Sequence, residues 1–472
     1  MKQKIHVPIS IVQLDIATQL ELADLFQHFA TQSWAMLLDS SASDHQDGRY
    51  DIMVAQPIAT IQTHGELSTI WRQSADNTIV SSENPLSLLQ NLLDQTLPED
   101  KQNTPADFSL PFVIGALGYF GYDLGRRFES LPAPQQESYL SADMSVGIYN
   151  WSIIKDNYRE SFYLCAQDPD SAPSVEYLQN IALEIPAPQP TFSLLSDWQQ
   201  NMLQHDYQAK IAQIMAYLRA GDCYQVNLAQ RFCADYEGDE WQAYQILRRA
   251  NKAPFSAFLR LPDNVILSIS PERFLSVKGD AVQSKPIKGT RPRSLNPAQD
   301  RANIEALIHS EKDQAENLMI VDLLRNDLSK NCRPGSVEVP ALFQVESFAA
   351  VHHLVSTVTG RLNEDCSAIK LLQGAFPGGS ITGAPKIRAM QIIDELEPHK
   401  RNIYCGSIGY IGINRDMDTS ICIRTLLCEQ DKLYCWAGGG IVIDSEPEAE
   451  YQESLDKVSK ILPLLLKQQT QL

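Results

Sequence analysis

Positive charge is in short supply in this chain: over 472 residues, 39 Lys and Arg stand against 58 Asp and Glu, a formal charge of −19. Such a field repels polyanions, which excludes nucleic acid and anionic membrane surfaces as partners. Long apolar runs are missing too. The best, Leu110 to Tyr122, is broken by glycines and falls short of the ~18 residues of a membrane span, so no membrane association is expected. Met1 to Gln19 scatters polar residues where a secretory signal needs an unbroken apolar run. Nine cysteines, an odd number, include no Cys-x-x-Cys pair, which argues against a disulfide framework or a structural zinc and for a reducing cytoplasm. Gly-x-Ser-x-Gly, Gly-x-x-x-x-Gly-Lys-Ser/Thr, His-Glu-x-x-His and Gly-x-Gly-x-x-Gly are likewise absent, removing hydrolase-elbow, P-loop, zincin and dinucleotide readings.

What is present is the mixture of a folded protein, 44% hydrophobic and 21% charged. At roughly 100 to 200 residues per domain, the length allows about two to four domains or one enlarged body. Trp34 to Ser40 and Tyr50 to Gln56 are short apolar runs that predict strands. Proline-bearing stretches at 167–173 and 185–192 place a loose boundary near residue 195, between an amino-terminal region 1–195 and a region 196–472 packed with it as one interleaved body. Tyr207, Ile211, Met215 and Leu218 recur at helical spacing, with Asp206 able to cap the start and Gly221 the end. Tyr224, Val226 and Leu228 then alternate with polar residues as in a half-buried strand. Helices are predicted over Ala302 to about Leu328 and over Ala384 to Leu396, the latter with Pro385 in its first turn. Strands follow at 403–413, 418–428 and 432–443, then a helix from about 447.

Several segments are dense in chemistry. Lys285-Pro-Ile-Lys-Gly-Thr-Arg-Pro-Arg293 puts four cations in nine residues of an acidic chain. It reads either as a solvated loop or as an ordered anion site, in which a desolvated Lys288 has a lowered pKa and a nucleophilic amine. Asp313 and Glu316 share one helical face, as do Glu450 and Glu453. Each pair alone would pass for surface acids; converging, they would suit Mg²⁺. Phe376-Pro-Gly-Gly-Ser-Ile-Thr-Gly-Ala-Pro-Lys386 runs into a helix amino terminus, a place for an anionic group or simply a joint. The Gly438-Gly-Gly440 run would let a carboxylate approach the backbone. Arg424, in a predicted strand, wants a carboxylate from a ligand or from the protein.

In order, these segments resemble the chorismate-utilising enzyme family along nearly the whole chain. The resemblance is carried by Trp34 to Ser40, Gly115-Ala-Leu-Gly-Tyr-Phe-Gly-Tyr-Asp-Leu-Gly125, Gly221-Asp-Cys-Tyr-Gln-Val-Asn227 and Ser270-Pro-Glu-Arg-Phe274. It continues through the Lys288 loop, Glu316 to Asp327, Thr382 to Lys386 and Gly438 to Glu453. It implies an α+β fold of the anthranilate synthase component I type, a large two-sheet sandwich with helices on the outside.

The resemblance also implies a substrate, chorismate, whose ring carboxylate binds Mg²⁺, with Glu316 and Glu453 as direct ligands and Asp313 and Glu450 acting through water. Many relatives carry Glu where Asp313 stands, so the reach here is shorter. Thr290, Thr382, Tyr410, Arg424, Lys457 and the backbone of Gly438, Gly439 and Gly440 resemble substrate-holding groups. His353 resembles the active-site histidine, with His352 as its competitor. Members that add water at C2 carry a lysine base where this chain has Gln225, and an amide cannot serve as that base. Anthranilate-forming members usually read Pro-Ile-Ala-Gly-Thr where this chain reads Pro286-Ile-Lys-Gly-Thr290. The implied reaction is amination of chorismate to 4-amino-4-deoxychorismate, for 4-aminobenzoate and folate synthesis, with Lys288 attacking C2 and Glu272 protonating the leaving C4 hydroxyl. Anthranilate formation and a non-catalytic tryptophan-binding scaffold are the alternatives. With no Gly-x-Cys-x-Gly elbow in the chain, ammonia is implied to come from a separate glutaminase subunit. Leu37-Leu-Asp-Ser40 and Pro254-Phe-Ser256 resemble the walls of a tryptophan pocket, with Ser40, Arg49, Tyr50, Pro254, Phe255 and Ser256 as contacts; the same residues could simply pack the amino-terminal sheet.

Overall fold

Short apolar strands need partners on both edges, and here they find them in two antiparallel sheets, thirteen- and twelve-stranded among the described residues. The computed structural model describes residues 9–41, 45–75, 77–97, 110–132, 139–347 and 351–466; the first eight residues of the stretch read for a secretory signal lie outside these. The strands β1 (Met36–Asp39) and β2 (Tyr50–Val54) belong to the first sheet and β3 (Gly115–Phe120) to the second. After helix α1 (Gln204–Ala220), β4 (Gln225–Glu237), β5 (Phe255–Arg260) and β6 (Val265–Ser270) return to the first sheet. The second sheet takes β7 (Arg273–Lys278), β8 (Ile287–Pro292) and, past helix α2 (Glu311–Ser329), β9 (Val351–Arg361). Beyond helix α3 (Lys386–Leu396), β10 (Ser407–Gly412) and β11 (Met417–Ile421) join the second sheet, then β12 (Thr425–Glu429) and β13 (Lys432–Ile441) the first, followed by helix α4 (Pro447–Asp456). Pairing of β1 with β5 and of β3 with β10 sets strands from before and after residue 195 side by side in both sheets.

Residues of both sheets share one core: Met36, Ile266 and Trp436 from the first meet Leu117, Phe274 and Ile408 from the second. Because side chains alternate along a strand, Leu37, Phe258 and Leu267 of the first sheet point the other way, against Trp241 and Tyr244 of the helix Glu240–Asn251. α1 and α3 bury Tyr207, Ile211, Leu218, Ile392 and Leu396 against Val226, Leu228 and Ile441. Each fully buried aliphatic side chain contributes about 1.5–3 kcal/mol.

Several local expectations need correction. The strand predicted at Tyr224 to Phe232 is buried on both faces from Gln225 to Phe232, while Tyr224 lies before it and is exposed. Helices cover one face and the molecular interior the other, so the polar Gln225 and Asn227 are enclosed. The long helix predicted from Ala302 is two, Pro297–Ile308 and α2, because Ser310 caps the second by accepting from the Asp313 N–H. Asp206 sits inside the first turn of α1, where its carboxylate accepts from the Leu203 N–H, and Gly221 ends the helix at φ 81°. Pro385 is the residue before α3, not part of its first turn.

The predicted strand 418–428 is also two strands, and the break positions the site. β11 lies in the second sheet and β12 in the first, so the chain crosses between sheets at Cys422–Arg424, with Arg424 at φ 52°. A left-handed backbone costs a non-glycine residue roughly 1–2 kcal/mol. A second crossing, between β6 and β7, carries Pro271 and Glu272. The crossings are neighbours: Ile269 N–H donates to Arg424 O and Ile421 N–H to Glu272 O, both at 3.0 Å. No helix among the described residues is long and apolar enough to cross a membrane.

Candidate functional site

Glu272 and Arg424, the side chains at the two crossings, line a cavity of about 620 Å³ together with Lys288 from β8 and His353 from β9. Glu272 is buried, accepts from Ser380 Oγ at 2.9 Å, and has its pKa pushed up to about 7, chiefly by burial. The Lys288 amine donates to Ser380 O at 3.2 Å, so one residue of the glycine-rich turn touches both groups. Burial lowers the Lys288 pKa from its ordinary value, against the opposing pull of Glu316 and Glu272.

The other cations of the 285–293 segment are neutralised by the protein. Lys285 reaches Glu346 at 2.7 Å, Arg291 reaches Asp313 at 3.0 Å and Arg293 reaches Asp300 at 3.2 Å. Lys288 has no ion-pair partner within 4.0 Å among the described residues. Neither has Arg424, whose pKa burial lowers. The two histidines separate: His353 lines the cavity with Nδ1 2.9 Å from Thr290 Oγ1, and burial, then Arg424, push its pKa down to about 3. His352, next along β9, lies 3.0 Å from Asp300 and 2.7 Å from Ser347 Oγ.

Glu316 from α2 and Glu450 and Glu453 from α4 face the same cavity. The Lys312 amine stands 3.9 Å from Glu316 and 3.5 Å from Glu450, and Lys457 bonds both Glu453 and the Gly438 carbonyl at 2.7 Å. Gly439 keeps this cradle open, since a Cβ there would lie 3.1 Å from Glu450 Oε2 and 3.5 Å from Glu453 Oε1. Among the described residues no three acidic, imidazole or thiolate groups converge into a closed metal cage. A set of oxygen donors from two helices, loosely bridged by lysine, fits an open Mg²⁺ site in which one or two carboxylates bind and water fills the rest. Asp313 is the outlier, since Arg291 holds its carboxylate.

Other expectations are displaced. Tyr410 does not line this cavity; its ring packs at a tilt against Phe112 and lines a different one, and the aromatic residues on the Lys288 side are Tyr404 and Trp436, stacked at 6.3 Å. Thr382 is fully buried and donates its hydroxyl to Gly378 O, so it shapes the turn and does not face the cavity. Gly439 is outside the cavity lining, and the carboxylates that approach it are the protein's own. The α3 amino terminus is closed by the Lys386–Asp327 pair at 2.6 Å, leaving Ser380 and Ile381 of the turn as the lining residues. Asn227 and Tyr404 were missed: strand alternation assigns the first to solvent, and the second falls inside the strand predicted at 403–413, which begins only at Ser407.

The second cavity, about 910 Å³, brings together Ser40, Arg49, Tyr50, Pro254, Phe255 and Ser256. Its arginines are paired: Arg49 with Asp156 at 2.8 Å, Arg273 with Asp418 at 2.9 Å and Asp47 at 2.7 Å, and Arg361 with Asp280 at 2.6 Å.

Comparison with known proteins follows this geometry. Residues 36–463 match the family model described as chorismate binding enzyme. Aminodeoxychorismate synthase component 1 of Klebsiella aerogenes is 53% identical over 93% of this chain and 95% of its own, and that of Escherichia coli (strain K12) 52% over 94% and 95%. The crystal structure of anthranilate synthase component I from Streptococcus pneumoniae TIGR4 superposes with a TM-score of 0.75 at 31% identity, over 88% of this chain and 92% of that one. The fold is therefore the two-sheet α+β type, and the chain belongs to the chorismate-binding enzyme family.

Proposed function

We propose that the protein converts chorismate and ammonia into 4-amino-4-deoxychorismate. The observation that carries this reading is the unpaired Lys288 amine sharing Ser380 with a Glu272 whose pKa lies near neutrality. The deprotonated amine attacks C2 of the ring while protonated Glu272 gives its proton to the C4 hydroxyl, which leaves as water. Ammonia then adds at C4 as the C2–N bond of the protonated adduct breaks and releases Lys288 as its neutral amine, and a proton shed by the incoming nitrogen returns to Glu272. The enolpyruvyl group is retained. Arg424 faces the cavity as the partner for a substrate carboxylate. Glu316 and Glu453 hold Mg²⁺, with Glu450 behind them; when bound, the ion compensates the charge of the substrate's ring carboxylate.

Ammonia comes from glutamine through a separate glutaminase subunit, in a reducing cytoplasm where all nine thiols stay free, as they are here. The second cavity takes tryptophan, with its indole against Pro254 and Phe255. Incubation with chorismate, Mg²⁺ and ammonium salt, followed by mass spectrometry, tests the reaction. The expected product is 4-amino-4-deoxychorismate; anthranilate with pyruvate release would overturn the reading. Glutamine in place of ammonium, with no second subunit, is expected to give no product.

A further inference from the structure

Behind the cavity wall lies a buried ion pair that the chemistry above does not use. Arg401 and Glu397, one turn apart in sequence, are 2% and 5% exposed. Arg401 bonds Glu397 through Nε at 2.9 Å and Nη2 at 2.7 Å. Its remaining bonds go to the wall: Nη1 to Ile381 O at 2.9 Å, and Nη2 to Asn227 O at 2.9 Å and Asn227 Oδ1 at 3.3 Å. Its guanidinium also lies 5.6 Å from the centre of the Tyr404 ring. Asn227, Ile381 and Tyr404 all line the cavity that holds Lys288. Desolvating such a pair is costly before its bonds are counted. Its partners show what it does with that cost: it fixes three pieces of one wall.

The chemistry of the pair settles the orientation of Asn227. Arginine has only donors, so the carboxamide atom turned toward it is the oxygen, and the amide nitrogen points away. That nitrogen has no acceptor among the described residues, although the residue is only 6% exposed. Asn227 lines the cavity, and its nitrogen is not among the side-chain atoms sealed away without a partner, so the unused donor opens on that space. We propose that Asn227 is a further substrate-binding residue, donating through Nδ2 to an oxygen of the bound substrate, and that Arg401, anchored by Glu397, is the positioning residue that holds the carboxamide in this orientation. This rests on the reading of the cavity as the chorismate site.

The test is the calorimetric Kd for chorismate with Mg²⁺ and without ammonia, in wild type, Asn227→Asp, Asn227→Ala, Arg401→Lys and the Asn227→Ala/Arg401→Lys double variant, with thermal unfolding alongside. Asn227→Asp keeps an oxygen toward Arg401 and removes the donor, and is expected to weaken binding tenfold or more at an unchanged unfolding midpoint. Arg401→Lys is expected to weaken binding less, and to add nothing in the Asn227→Ala background, because the effect passes through the carboxamide. An unchanged Kd in Asn227→Asp overturns the proposal, and this variant decides it even where the Arg401 variants do not fold. Equal losses from Arg401→Lys with and without Asn227 overturn the positioning role. Wild-type protein that binds chorismate yet yields another product rejects the reaction proposed above and leaves this measurement standing; wild-type protein that does not bind chorismate rejects both.

Discussion

The two cavities share Pro254 in their walls, yet they keep their charges in opposite ways. On the Lys288 side, Lys288 and Arg424 face open space without an ion-pair partner among the described residues. On the other side Arg49 and Arg273 are locked to Asp156, Asp418 and Asp47. An uncompensated charge out of water is expensive, and a fold keeps one where a ligand or a reaction completes it. A charge already paired asks nothing of a ligand and serves to hold the walls. The contrast agrees with the proposed division, in which the smaller cavity receives an anion and acts on it and the larger one encloses a ligand by shape.

The sharpest way to break this contrast is to remove the unpaired amine. Lys288→Ala is expected to lower ammonia-dependent turnover roughly 10⁴-fold while Mg²⁺-dependent chorismate binding changes only a few-fold. Full activity measured by product formation would make Lys288 an ordinary wall residue. Glu272→Gln comes next, at about 10²- to 10³-fold in kcat. Its pH signature is more telling than its size. In the proposed reaction protonated Glu272 is the active form, and burial pushes its pKa up to about 7, so wild-type kcat/KM is expected to fall as pH rises through that value. The variant has no proton to lose there, and a limb surviving in it would assign the titration to another group.

A third expectation concerns the acidic side of the same cavity. Lys457, its largest influence, holds the Glu453 pKa below the ordinary carboxylate value, so Glu453 is ionised and ready for a cation throughout the neutral range. Glu453→Gln is expected to weaken Mg²⁺ binding, measured calorimetrically in the absence of substrate, by at least about tenfold. Unchanged affinity would leave the cradle without its central ligand.

How much of this was legible in the sequence depends on what each residue's role required of its neighbours. Lys288, Glu316 and Glu453 stand in segments marked by proline, glycine or helical spacing, and those local signals carry their own positions. Arg424 was legible as a residue and misplaced as an element: nothing in Ile421 to Leu426 announces that the chain changes sheets, because the stretch carries no glycine or proline and Ile421-Cys422-Ile423 runs on as a strand would. Asn227 shows the deeper limit. Alternation separates the two faces of a strand but does not say whether the polar face meets water or a cavity. Tyr410 and Tyr404, six residues apart, are aromatic and buried alike, and only the pairing of β10 against β3 and β11 sorts one to each cavity.

The mildest perturbation lies on the other side of Pro254. The Tyr50 ring lies under the Arg49 guanidinium at 4.7 Å, a contact worth about 0.5–1 kcal/mol at a partly exposed site. Tyr50→Ala frees Arg49 from that contact but leaves the Asp156 pair in place, so the wall loosens without gaining an unpaired charge. The expected result is a roughly two- to fivefold loss of tryptophan affinity, the same energy expressed as a ratio, measured by equilibrium dialysis. Chorismate kinetics are expected to shift less than in any variant above, because the altered contact is on the far wall and no charge facing the Lys288 cavity changes partner. A loss of turnover matching that of Glu272→Gln would show that the cavities act as one site, and the division between reacting and enclosing would fall.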